Sequence, residues 1–96
     1  MLNSKQRAFL RALSHGQSAI FQVGKGGIGE ELCLGIDSAL TARELIKVHV
    51  LENSPYTARE AADLLSERTG ADVVSVVGSK LVLYRESAEK KQIELP

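Results

Sequence analysis

The chain has 96 residues, 44% of them hydrophobic, which suits one compact domain over residues 1–96 and is too little for two cores. Lys and Arg number 12 and so do Asp and Glu, and a formal charge of zero gives no general attraction for a polyanion. A lone Cys33 excludes an internal disulfide and a CxxC zinc site, while no apolar run nears the ~20 residues of a membrane span and no signal-like start is present, so a soluble, cytoplasmic protein is expected.

The first helix is predicted over Ser4 to Ser14, with Leu2, Phe9, Leu10 and Leu13 on one side and Arg7 and Arg11 projecting from the other. Gly16 breaks it, and Ser18 to Val23 reads as a strand. Three glycines in four residues, at 24, 26 and 27, end that strand. A second helix is predicted over Gly29 to Leu40, with Ile28, Leu32, Ile36 and Leu40 as its buried stripe. Leu45 to Glu52 forms the next strand, with Ile46, Val48 and Val50 on one face and Lys47 and His49 on the other.

Thr57-Ala58-Arg59-Glu60 fits a capping box for a third helix, with Tyr56 placed to staple onto Ala61 and Gly70 as the left-handed stop. Val73 to Val77, nearly all valine, is expected to be buried on both faces. Gly78-Ser79 suits a hairpin turn into a fourth strand, Lys80 to Arg85, antiparallel to the third. Residues 86–96 are charged apart from Ile93 and Leu95, and form either a loose tail or a segment packing back. The order αβαβαββ makes a four-stranded mixed sheet with three helices the economical α/β solution, with the strand order left open.

The zero net charge conceals an asymmetry. Residues 1–29 carry Lys5, Arg7, Arg11 and Lys25 with no acid, a net +4, whereas residues 30–96 carry 8 basic and 12 acidic side chains, a net −4. Such a segment is either an attractive end or simply solvated. Within it, Gly24-Lys25-Gly26-Gly27 joins a strand to a helix. Glycines there let backbone amides approach an oxyanion, the helix adds its partial positive end, and Lys25 adds a charge. A GxxG element in this place is the backbone clamp of KH domains on single-stranded RNA, although GxxG alone also fits a plain turn. It is not a Walker A loop, since no GK[ST] is present, and Gly24, Gly26 and Gly29 spell GxGxxG without a ribose-binding acid in the expected place. Glu30 and Glu31 would repel phosphate if they faced it.

The matching segments are Lys5-Gln6-Arg7, Leu13-Ser14-His15, Val23 to Gly27, Glu44-Leu45-Ile46-Lys47-Val48, Thr69-Gly70-Ala71, Val76-Val77-Gly78, Leu81 to Arg85 and Ile93-Glu94-Leu95-Pro96. In this order and over nearly the whole chain they resemble stand-alone YhbY proteins, the bacterial form of the CRM (chloroplast RNA splicing and ribosome maturation) domain. The resemblance implies a KH-like loop, a fold similar to the C-terminal domain of translation initiation factor three, and association with precursors of the large ribosomal subunit. Plant relatives use the domain in group II intron splicing. Gly29 departs from the family, which favours Thr or a similar capping residue there, so a looser helix start is expected.

The candidate RNA-binding residues are Gly24, Lys25, Gly26 and Gly27 of the loop, Lys5, Arg7 and Arg11 of the first helix, and Lys47, Lys80 and Arg85 of the strands. The helix arginines could equally form a solvated face, and the strand cations could guard a sheet edge against aggregation. His15 and His49 lack the carboxylates or thiols of a metal site, and His15 suits the end of the first helix. Phe21 and Tyr84 sit on strands, where core packing competes with base stacking. The expected function is cofactor-free, non-enzymatic binding of structured ribosomal RNA, with no membrane or small-molecule partner. The alternative is a protein-interaction module that docks a partner through its acidic second and third helices.

Overall fold

The computed structural model describes residues 2–96. Its elements, in chain order, are α1 (Ser4–Ser14), β1 (Phe21–Val23), α2 (Glu30–Arg43), β2 (Leu45–Val50), α3 (Ala58–Thr69), β3 (Asp72–Val77) and β4 (Lys80–Tyr84). The predicted order αβαβαββ is the observed one. The sheet runs β1-β2-β4-β3, with β1 parallel to β2 and β4 antiparallel to both β2 and β3.

Local chemistry fixes the helix ends. Thr57 and Glu60 make the expected capping box, and Gly70 closes α3 at φ 75°. A second capping box, Asn3 with Gln6, starts α1. Gly29 begins α2 without any side-chain bond, as its missing side chain requires.

One face of the sheet packs against α2 and α3. Ile36, Leu40, Ala61 and Leu65 meet Ile46, Val48, Leu81 and Leu83 in the main core, and Ile28 and Leu32 pack on its margin. The other face carries a smaller core, in which Leu2 and Leu10 meet Leu45, Val74, Val82 and Tyr84, with Ile93 and Leu95 of the C-terminal segment against them. The tail therefore packs back, and the Tyr84 ring, only 3% exposed, is core.

Three sequence expectations need correction. On α1 the buried residues are Leu10 and Ser14, one turn apart, whereas Phe9 and Leu13 are about 40% exposed. The helix touches the sheet along a narrow seam, and Arg7 lies beside it, its Nε donating to the Val73 carbonyl at 3.4 Å. Strand β3 is not buried on both faces, because β4 inserts between it and β2 and leaves it at the sheet margin, with Val77 71% exposed. For the same reason Lys47 and Lys80 stand on interior strands and guard no edge.

Arg85 is the third. Its Nη1 pairs with the Asp37 carboxylate at 2.6 Å and donates to the Thr69 carbonyl at 2.7 Å, while its Nη2 donates to the Asp37 carbonyl and Thr41 Oγ1. The guanidinium thus ties the end of α3 to the middle of α2, using the planar fork that Lys lacks. Its donors serve the fold.

Glu44 organises the remaining end. It follows α2 at φ 68°, a left-handed conformation that costs a non-glycine residue about 1–3 kcal/mol. Its backbone carbonyl accepts from Arg85 N at 2.9 Å. Its carboxylate, fully buried, accepts from the N–H groups of Ser87, Gln92 and Ile93 at 2.7–2.8 Å. Burial pushes its pKa up, but those three donors and the nearby Lys91 outweigh burial and hold it below the ordinary 4.5.

Two outcomes follow for stability. Since the folded pKa of Glu44 is depressed, its contribution is complete above the ordinary carboxylate range and is lost as pH falls through the folded value. Melting temperature measured from neutral to acid pH should therefore drop on the acid side, and Glu44→Gln should flatten that drop while costing about 2–4 kcal/mol in urea unfolding at neutral pH. Arg85→Ala should cost about 1–3 kcal/mol in the same assay, with Arg85→Lys recovering only part.

Candidate nucleic-acid interface

Gly24 to Gly27 form a tight turn at the end of β1, closed by a 3.0 Å bond from the Gly27 N–H to the Gly24 carbonyl. Gly27 sits at φ 72° with Pro55 and Tyr56 about 3.4–3.5 Å from where a Cβ would stand, so a side chain there would be both strained and crowded. Open space surrounds Gly26, and Lys25 is exposed beside it. Among the described residues neither the Lys25 nor the Gly26 N–H has an acceptor. The uncapped start of α2 follows two residues later, with Glu30 and Glu31 exposed in its first turn.

Strand pairing carries this turn toward the other cations. Leu51 N donates to the Val23 carbonyl and Val50 N to the Ser79 carbonyl, so the glycine turn and the β3–β4 hairpin lie at the same end of the sheet. On the α1 side of the sheet, Gln22 pairs with His49 and His49 with Lys80, forming a row across three adjacent strands. At ~4.8 Å per strand this row spans roughly 10 Å. The next row pairs Lys47 with Val82.

Where the end of α1 meets these rows, a cleft of about 200 Å³ opens. Arg11, Ser14 and His15 line it from α1, Lys47 from β2, Ser75 and Val77 from β3, and Lys80 and Val82 from β4. Among the described residues no acidic one lines it. Ser14 is buried at its back, its hydroxyl donating to the Arg11 carbonyl, and His15 is the last residue capping α1, through its N–H.

The structure thus brings Arg11, Lys47 and Lys80 together, with Lys25 at the same end of the sheet. Arg7 stands at the flank with one N–H already used, Lys5 is exposed near the start of α1, and Arg85 is not on this side. Sequence reading missed the part of His15, Ser75, Val77 and Val82. The alternation of Lys47 and His49 in β2 was the available signal, since it marks a strand face that meets water. Among the described residues no cluster of His, Cys, Asp or Glu could hold a metal ion, and no helix is long and apolar enough to cross a membrane.

Comparison with known proteins agrees with this architecture. Over 96 residues the chain is 47% identical to YqeI of Bacillus subtilis, named a probable RNA-binding protein, with all of both chains covered. It is 37% identical over 95 residues to an RNA-binding protein of Haemophilus influenzae, covering 99% of this chain and 95% of that one. A solution structure of a Staphylococcus aureus protein, provisionally described as RNA-binding, superposes with a TM-score of 0.83 at 53% identity over the full length of both. The model of the CRS1/YhbY (CRM) domain matches residues 2–85, and the chain belongs to that family.

Proposed function

We propose that the protein binds structured ribosomal RNA through phosphates, using the Gly24–Gly27 turn with Lys25 and the cations Arg11, Lys47 and Lys80, with Arg7 and Lys5 at the margin. General RNA binding is the common property in the names of its relatives. The observation that carries the reading is a cluster of cations, free of acids, in a chain whose net charge is zero. Segregation of charge in a neutral protein gives one face its own potential. The turn supplies amide donors where an oxyanion can approach them, and Lys25 supplies a mobile ammonium that tolerates any sequence. Such contacts position RNA and carry little base information. The activity requires no cofactor and no chemical step.

The resemblance of the whole chain to YhbY proteins supports large-subunit precursors in the cytoplasm as the setting. Arg85, committed to Asp37 and Thr69, is left out of the interface. A second reading, docking of a protein partner, draws on Leu34, 61% exposed on α2 within a turn of Glu30, Glu31 and Asp37. It expects recovery of a partner that survives nuclease treatment and no salt-dependent affinity for RNA.

Lys25→Glu should weaken binding to ribosomal RNA fragments about tenfold at low salt and reduce the slope of log affinity against log salt by at least about 1, with the melting temperature unchanged. Unaltered affinity and slope in a fluorescence titration would remove the turn from the interface.

A further inference from the structure

We infer that the cleft at the end of α1 is a slot for one unstacked RNA base, so that the segment bound there is single-stranded. This rests on the RNA-binding reading above and specifies the form of RNA that the site accepts.

A surface built only to meet phosphates needs charge and no recess. Here the cations rim a recess, and its walls are of another kind. Val82, 4% exposed, forms apolar floor, and Val77, 71% exposed, stands at the mouth with little of its side chain covered by protein. Two residues that carry planar side-chain groups, His15 and Arg11, line the same space. Imidazole rings and guanidinium planes are the groups on which splayed RNA bases stack. Lys47 and Lys80 complete the lining as ammonium groups for the flanking phosphates.

Size narrows the occupant. About 200 Å³ is below the ~300–1,000 Å³ of sites that enclose drug-sized ligands. It suits one planar ring system, with the sugar and phosphate left outside. The bases of an A-form duplex are stacked inside the helix and cannot enter a recess between a helix and a sheet, whereas loops, bulges and single strands can turn a base out. The row Gln22, His49 and Lys80 spans roughly 10 Å from the cleft to β1, and the glycine turn begins two residues beyond Gln22. A short single strand can thus have one base in the slot while a phosphate a few nucleotides away reaches the Lys25 turn.

The test uses the full chain and a six-nucleotide single-stranded RNA carrying one 2-aminopurine, whose fluorescence reports stacking, beside a hairpin-closed duplex of equal charge. Wild-type protein should change the 2-aminopurine signal and bind the single strand more tightly than the duplex. His15→Ala and Val77→Asp should each weaken single-strand binding about tenfold and abolish the fluorescence change, with melting temperatures near wild type. Lys25→Glu should weaken binding and leave the fluorescence change of the saturated complex in place. Equal affinity for the duplex, or full fluorescence change in both cleft variants, overturns the slot even if Lys25→Glu still weakens binding. Absence of RNA binding by the wild-type protein overturns the slot together with the RNA-binding reading.

Discussion

The buried carboxylate of Glu44 is the contact on which the rest of the molecule leans. A left-handed backbone at a residue with a Cβ is unfavourable, and here it directs an anion toward three amides of a segment more than 40 positions later in the chain. Those bonds hold residues 87–93 against the end of α2, and from there Ile93 and Leu95 enter the smaller core. That core seats α1. Without the C-terminal segment, Leu2 and Leu10 would lose the cover of Ile93 and Leu95, and α1, which carries Arg11 and His15, would be held less firmly. The wall of the cleft at one end of the sheet is therefore linked to an anion at the other.

The neutral composition is consistent with a charged function because the fold sorts charges by side. Acids concentrate on α2 and α3, where Asp63 pairs with Arg59 and Asp37 with Arg85. Among the described residues the cations around the cleft have no such partners. An exposed pair adds little to stability, so pairing on the helical side mainly leaves a different potential on each face.

Much of this was legible in the sequence wherever the determinant was local. The capping box of α3 and its glycine stop are set by four or five neighbouring residues, and both stand where the sequence places them. The glycine turn was equally readable, because a strand, a glycine cluster and an apolar stripe follow one another. What depended on the insertion of β4 was not. The valines of β3 signal strand but not position, so burial on both faces was inferred for a marginal strand. Lys80 at the start of β4 and Arg85 just past its end look alike as charges; only the tertiary partners Asp37, Thr41 and Thr69 divide them into a cleft-lining cation and a clamp. Glu44 offered no local cue at all, since nothing in Arg43-Glu44-Leu45 announces a carboxylate turned inward.

The order β1-β2-β4-β3 has a bearing on how the domain is born. Of its two interior strands β4 is the last strand synthesised, and every pairing that joins the two halves of the sheet waits for it. Up to Ser79 a nascent chain owns a two-stranded ribbon and an unattached β3, neither of which can close a core. Emergence of Lys80 to Tyr84 completes the sheet, and emergence of the segment that Glu44 receives then completes the smaller core. A cleft walled by β2, β3, β4 and α1 consequently exists only in the finished domain, and no partly made chain presents it.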